Sequence, residues 1–538
     1  MNTPTIAGVL SARAAACPEE AFVKCEDEWR SLADIDAASG RVAGGLAALG
    51  VSKGDRIGFL LSTREELVVL FFACAKVGAV FVPLNIYLKG RFLEHQLSDA
   101  GVSVLVVDEE GLLAAKPVLE QTSVKHVVTV DDIDEAGVGV LTYRQLDCSA
   151  QLTSVVTRSP RELAAIVYTS GTTGAPKGCM LSDGYLIQLP RAQREAEWLV
   201  PGDRIFTTWP MFHVSGVNAL LCALTERASI CLKPRFSAST FMAEAKADGA
   251  TVVYGVGPMA SAILAQPPSP SDADCAMRMA LFVPLTVDLQ EKFERRFNTP
   301  VIAEAYGQTE VSPFTLSSVS GPRKRNSVGR CVSYLEVAIV DENDMAVPNG
   351  AVGEIVVRPT RPDVYFFQGY WNNLQATANA FRNLWHHTGD CGSIDEAGFV
   401  YFVGRKSDSV RRRGENVSAF EVENAIVDHP AVERVAVTAV PSPLGEDDIR
   451  ATILLAPGAT IEPEEFFAFL HNNLPYFAVP RYVDVRSDFP VNALGKVMKH
   501  ELRSEGLPAD AWDFESLGLT VPRDQRRSAA VARNRSTT

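Results

Sequence analysis

The sequence predicts an α/β protein: a large N-terminal domain of parallel sheets covered by helices, a smaller antiparallel region, and a small α+β domain at the C-terminus. Three observations carry that expectation. Up to about Thr153, apolar runs such as RIGFLL, AVFVPL and SVLVVD alternate with helical stretches, the pattern of a parallel sheet with helices on its faces. From about Arg330 to Val403, YLEVAIVDENDMAVPNGAVGEIVVRP alternates apolar and polar residues around Asn349-Gly350, which suits antiparallel strands joined by turns. Beyond it, AFEVENAIVDH, VERVAVTAV, RATILLA, PEEFFAFLHNNL and RYVDVR read as helix, strand, strand, helix and strand, enough for a unit of about one hundred residues.

Taken in order, the opening MNTPTIAGVLSARAAACPEE lacks a basic leader and carries Arg13 inside its apolar stretch. It reads as an amphipathic first helix and not as a secretory signal. The longest apolar run, Leu67 to Leu84, is interrupted by Lys76, Gly78 and Pro83, so a buried helix followed by a strand is expected in place of a membrane span. LAAIVY is a buried strand that runs into a glycine-rich loop. The alternation continues through ASICLK, ATVVYG and TPVIAEAYG, with a surface loop at QPPSPSDAD, Gln266 to Asp274. At GRKSDSVRRRGENVS, Gly404 to Ser418, the chain turns basic, with five Arg or Lys between Arg405 and Arg413. That stretch divides the chain into residues 1–404, a connection at 405–409, and a small domain over 410–520. The remaining 521–538 have almost no large apolar residues and are expected to be disordered.

Composition narrows the class. Over 538 residues the formal net charge is -14, which argues against a nucleic-acid surface and leaves a local basic patch as the way to attract a small anionic ligand. The ten cysteines show no CxxC pair and no histidine companions at ligand spacing, so neither a zinc site nor a disulfide framework is expected and a reducing cytoplasm fits. No integral membrane segment is expected, and a homodimer is an admissible assembly.

The loop YTSGTTGAPKG, Tyr168 to Gly178, resembles a phosphate cradle. A P-loop needs a second glycine where this chain has Pro176, and a Ser or Thr after its lysine where this chain has Gly178, so that reading fails. The physics survives: glycines free backbone N–H groups, hydroxyls add donors, and Lys177 adds a charge. An ordinary flexible loop has the same composition.

Four further stretches follow it: YGQTE (Tyr306 to Glu310), WHHTGD (Trp385 to Asp390), GRKSD, and NALGK (Asn492 to Lys496). In this order and at these separations they resemble the motif series of the ANL adenylating enzymes, which include acyl-CoA synthetases, peptide adenylation domains and firefly luciferase. The likeness runs from GDRIGFLL near Gly54 to Lys496. The wording RRRGENVSAFEVENAI is most similar to the carnitine/crotonobetaine-CoA ligase-like branch.

The resemblance implies an ATP-dependent acyl-CoA ligase that uses ATP, Mg2+ and coenzyme A on a small carboxylic acid. It forms an acyl-AMP with release of pyrophosphate, then passes the acyl group to CoA with release of AMP. Thiolate cannot displace oxide from a free carboxylate, whereas AMP leaves readily. The first step brings a carboxylate against a polyanion, so charge must be neutralised where it develops.

By resemblance, Lys496 bridges the two anions, Glu310 holds Mg2+ as a hard oxygen donor, and Thr309 contacts phosphate. Thr169, Ser170, Gly171, Thr172, Thr173, Gly174 and Lys177 would cradle the outer phosphates. Tyr306, Gly307 and Gln308 would flank the nucleoside, Asp390 would accept the ribose hydroxyls, and Arg405 would reach ribose or phosphate. Asp408 matches the hinge about which the small, mobile domain rotates, because Lys496 and CoA need the same face of the adenylate. Arg413, Gly414 and Glu415 would line the CoA tunnel, and His213, Val214, Gly257 and Ala305 the acyl pocket.

Ordinary readings stand beside these: a solvated Lys496, a helix-starting Glu310, an Asp390–Arg405 salt bridge, a structural His213, and Arg411, Arg412 and Arg413 as a solvated basic face. A carrier-protein loader or a luciferase-like oxygenase would share every ATP motif, although the small-domain wording leans towards CoA. A non-catalytic relative is the other class, and Lys496, Glu310 and Asp390 argue against it. One departure concerns the Gly-Gly-Ala segment of many relatives. Phe282, Val283 and Pro284 stand in its place, which puts the pocket's shape and any copied specificity in doubt.

Overall fold

The computed structural model describes residues 5–132, 140–147, 152, 154–169, 176–274, 277–405, 409–413, 415–442, 445–490, 497 and 499–522. Two seven-stranded sheets dominate it. In the first, Val140–Thr142, His126–Thr129, Val104–Val107, Arg56–Leu60, Val80–Pro83 and Leu163–Thr169 run parallel, and Lys177–Ser182 closes the edge antiparallel to Leu163–Thr169. In the second, Val301–Ile302, Met279–Val283, Val252–Val256, Arg204–Thr207, Ser229–Leu232 and Ala21–Lys24 run parallel, with Trp29–Ser31 as the antiparallel edge.

The largest core cluster draws on both sheets and on the helices between them. Helix Glu65–Val77 lies inside it, with every residue from Leu67 to Val77 buried. That arrangement explains the long apolar run. Lys76 interrupts the run without leaving the interior, because its ammonium meets the Asp36 carboxylate at 2.8 Å. Gly78, at φ 82°, ends the helix in the left-handed conformation that glycine tolerates. Helix Leu32–Ala48 starts on a capping box between Ser31 and Asp34.

The antiparallel region is as expected. Ala305–Gln308, Val311–Leu316 and Arg330–Cys331 form one small sheet; Leu335–Val340, Gly353–Pro359, Trp385–Ile394 and Phe381–Arg382 form another, to which Val400–Arg405 adds. From Ser409 onward the chain builds a two-stranded ribbon, a four-stranded sheet and helices Ala419–Val427 and Pro463–Asn473 around their own core. Inside this unit Arg450 is only 1% exposed. It pairs with Asp484 and donates to the carbonyls of Leu502 (2.9 Å) and Gly506 (2.7 Å), tying helix Lys499–Ser504 to the sheet. Val521 is packed into this core, so the well-packed chain extends one residue past the expected boundary; residues 523–538 of the expected tail lie outside the described residues.

The small unit rests on the large one through Tyr87, edge-on to Tyr476 at 4.6 Å, and through Lys89 Nζ, which donates to the His471 carbonyl at 2.6 Å. No helix among the described residues is long and apolar enough to cross a membrane.

Candidate active site

The glycine-rich stretch spans a hairpin. Leu163–Thr169 leads in, and the chain returns along Lys177–Ser182 with Thr169 opposite Lys177. A P-loop passes from strand to helix; this loop passes from strand to strand. Ser170, Gly171, Thr172, Thr173 and Gly174 lie outside the described residues, so the structure speaks for the two jaws, Thr169 and Lys177. Thr169 Oγ1 donates to the Lys177 carbonyl at 3.4 Å.

The Lys177 ammonium sits 4.7 Å from the centroid of the Tyr370 ring, a cation–π distance. The Tyr370 hydroxyl donates to Glu310 Oε1 at 2.6 Å, and Glu310 is 9% exposed. Burial and then the Glu310 charge push the phenol's pKa far upward, so it remains a donor. Burial, then Glu310, also raises the neighbouring Cys179 thiol well above its ordinary value, which leaves it inert as a nucleophile. Tyr370 arrives because Gln368–Trp371 adds to the edge of Lys177–Ser182. Gln368 N donates to Met180 O (2.9 Å), Met180 N to Gly369 O (3.0 Å), and Trp371 N to Gly178 O (2.7 Å). Gly369, at φ 105°, makes the bend that glycine allows.

Glu310 belongs to the turn between Ala305–Gln308 and Val311–Leu316. The buried Tyr185 hydroxyl fixes that turn, donating to Thr309 O and accepting from Ser312 N, both at 3.0 Å. The same turn carries the nucleoside side. The Tyr306 hydroxyl donates to Asp390, and Gln308 Nε2 donates to Asp390 Oδ2 at 2.9 Å and to Thr388 O at 2.8 Å. Asp390 is 2% exposed. The Tyr306 ring stands edge-on to Phe314 at 4.6 Å and 5.8 Å from Phe402. Burial above all pushes His386 down to about 3, so it is neutral beside Gln308. Arg405 pairs with Asp390 in the strand ladder; its side chain lies outside what the structure describes.

The residues expected to line an acyl pocket follow the C-terminal ends of parallel strands, where open α/β sheets place ligands. Arg204–Thr207 ends beside Trp209, Val252–Val256 runs into Gly257, Met279–Val283 into Pro284, and Val301–Ile302 towards Ala305. A Cβ on Gly257 would fall 1.8 Å from the Pro284 carbonyl, so only glycine fits there. The Phe282-Val283-Pro284 departure is milder than its bulk suggested. Phe282 is fully buried and packs on Phe293 at 5.0 Å, which turns its ring into the interior, while Val283 pairs with Val256.

His213 sits at the N-cap position of helix Val214–Thr225 without a side-chain capping hydrogen bond, and Val214 packs against the main core. Sequence reasoning placed His213 in the acyl pocket and Glu415 in the CoA tunnel; the structure joins them, with His213 Nε2 3.2 Å from Glu415 Oε1. The three arginines do not form one basic face. Arg412 is 4% exposed, held by Asp448 at 3.1 Å and by the Val479 carbonyl, which makes it a core residue of the small unit. Arg413 lies 5.8 Å from the Tyr476 ring centroid and 3.4 Å from Glu515, and Arg411 lies 3.9 Å from Glu446. Asp408, Gly414 and Lys496 lie outside the described residues.

Comparison with known proteins decides the family. The AMP-binding enzyme model matches residues 10–371, and the AMP-binding enzyme C-terminal domain model matches 421–496. The chain belongs to the AMP-binding enzyme family. It is 32% identical over 496 residues to the crotonobetaine/carnitine–CoA ligase of Salmonella paratyphi A, covering 90% of this chain and 95% of that protein. It also superposes on o-succinylbenzoate CoA synthetase from Bacillus subtilis. A double mutant bound with its product analogue gives a TM-score of 0.81 at 27% identity, covering 94% of this chain and 99% of that one. The AMP complex of the same enzyme gives 0.65 at 27% identity, covering 92% and 98%. This AMP-binding enzyme is therefore an adenylate-forming acyl-CoA ligase.

Two residues of this AMP-binding enzyme's site escaped sequence reasoning. Tyr185 carried no local signal, whereas Tyr370 sits in FFQGYWNN, where a glycine before paired aromatics marks a bend against another strand. The His213–Glu415 pair is one contact between the two units whose strength should vary with pH. Burial lowers the His213 pKa, but Glu415 outweighs it, with Arg411 opposing, and the net direction is upward. The raised pKa means the contact strengthens below the ordinary value of about 6.5 and is lost as pH rises through the raised value. A fluorescence-transfer pair placed on the two units should report separation in the wild type as pH rises above the ordinary imidazole range. His213→Ala should flatten that profile, and an unchanged profile in the variant would remove the pair as its cause.

Proposed function

We propose that the enzyme carries out both half-reactions over the C-terminal strand ends, on an acid whose tail is uncharged and apolar. One observation carries the reading: a single turn delivers Glu310 to Lys177 through Tyr370, and Tyr306 with Gln308 to Asp390. Cationic and hydroxyl groups thus gather at one end and a ribose-accepting carboxylate at the other, in the order of the parts of ATP.

In the first half-reaction a carboxylate oxygen attacks the α-phosphorus and the bond to the β-phosphate oxygen breaks. Thr169, Lys177 and the hydroxyls of the hairpin loop hold the departing pyrophosphate. Asp390 accepts the ribose hydroxyls, Tyr306 flanks adenine, and Lys496 bridges carboxylate and α-phosphate. Glu310 fits a magnesium ligand: it is one buried carboxylate, and Mg2+ is commonly bound by one or two carboxylates plus substrate phosphates. When bound, the ion would neutralise charge on those phosphates. In the second half-reaction the CoA thiolate attacks the acyl carbonyl and AMP leaves.

Residues 405–409 serve as the hinge and 410–520 as the unit that turns. Glu415 on His213 brings the CoA-side loop to the acyl pocket, and the higher TM-score against the product-analogue complex than against the AMP complex supports a thioester-forming placement. The predicted Lys496→Ala outcome is near-complete loss of pyrophosphate release with acid and ATP, while CoA still consumes supplied acyl-adenylate. Equal loss of both half-reactions would contradict the assignment.

The substrate class rests on the residues at the strand ends. Trp209, Gly257, Val283, Pro284 and Ala305 carry no charge, His213 and Glu415 are spent on each other, and Trp209 offers a single aromatic face where a quaternary ammonium, as in the acids named for the Salmonella relative, would be recognised by a cage of rings or by a free carboxylate. In a pyrophosphate-release panel, alkyl and aryl acids should show higher kcat/KM than betaines. A betaine as the best substrate would overturn this assignment and leave the half-reactions standing.

A further inference from the structure

We propose that Tyr370 is a positioning residue that holds Lys177 and Glu310 apart yet in register, so that both reach the triphosphate with their charges unspent. This rests on the reading above that those two groups serve ATP. An ammonium and a carboxylate brought this close would ordinarily collapse into a direct ion pair, leaving little charge for a phosphate or a metal ion. Tyr370 stands between them. Its ring face carries the Lys177 ammonium at 4.7 Å, and its hydroxyl takes Glu310 Oε1 at 2.6 Å. Among the described residues no carboxylate forms a salt bridge with Lys177.

The placement is built in. Cys179 and Tyr370 form a β-bridge, and the Gln368–Trp371 segment is bonded to the Lys177–Ser182 strand on both sides of it. Tyr370 therefore moves with the hairpin that carries Lys177, while Glu310 moves with a different hairpin pinned by Tyr185. The phenol is the point where the two hairpins meet. Packing alone would need only the ring; the hydroxyl is spent on the carboxylate, and hydrogen bonds to a ligating carboxylate fix its orientation.

Two variants separate ring from hydroxyl. Tyr370→Phe keeps the ring over Lys177 and releases Glu310. Titration calorimetry should show Mg·ATP binding weakened about tenfold, with binding of metal-free ATP in chelator unchanged and the thioester half-reaction from supplied acyl-adenylate intact. Tyr370→Leu removes both and should weaken metal-free ATP as well. Glu310→Gln and Lys177→Met are measured alongside. If those two weaken Mg·ATP binding and Tyr370→Phe does not, Tyr370 is a packing residue and the proposal fails while the site stands. If neither of those two matters, the reading of the site fails and the proposal with it.

Discussion

Everything in this site answers to the repulsion between a carboxylate and a triphosphate. Two unit charges about 4 Å apart repel by roughly 4 kcal/mol near a protein surface, and a triphosphate carries several. The protein's own net charge of -14 adds to the problem. Positive charge must therefore be concentrated locally and kept from neutralisation by the protein's many acids. Lys177 is stored over an aromatic ring, and Glu310 is satisfied by a neutral phenol. Elsewhere, cations are paired freely: Arg412 with Asp448, Arg450 with Asp484, Arg323 with Glu304.

The fold meets this need with β-structure where a P-loop enzyme uses a helix N-terminus. Parallel strands bring apolar walls to one edge of a sheet, and antiparallel additions bring the polar groups to it. The glycine-rich loop closes a hairpin, the YGQTE turn closes another, and Gln368–Trp371 joins them. In the proposed mechanism the metal-binding role that a P-loop gives to a neighbouring hydroxyl falls to Glu310, on a separate hairpin distant in sequence.

Most of the architecture was legible because parallel strands are apolar on both faces and announce themselves as runs; LAAIVY, ATVVYG and AVFVPL all became strands. Lys76 was legible only as an interruption, since its partner Asp36 is distant in sequence. The arginines show the limit more sharply. RRRGENVS looks uniformly solvated, yet the hairpin from Ser409 to Ser418 turns Arg412 inward to Asp448. Composition cannot tell which face of a ribbon an arginine takes. Phe282 likewise read as pocket bulk because strand alternation does not reveal which face meets the ligand. Tyr370 went unread because its role exists only where two hairpins meet, and His213 and Glu415 were each noticed but could not be joined before the small unit had been placed.

Activation of the acid on the α-phosphate leaves a trace in the products. Running the reaction with a carboxylic acid labelled with heavy oxygen in its carboxylate, and analysing the nucleotide by mass spectrometry, tests it directly. Attack of the carboxylate oxygen on the α-phosphorus should leave one labelled oxygen in AMP and none in pyrophosphate. Label in inorganic phosphate, with ADP as the nucleotide product, would place the chemistry at the γ-phosphate and contradict it.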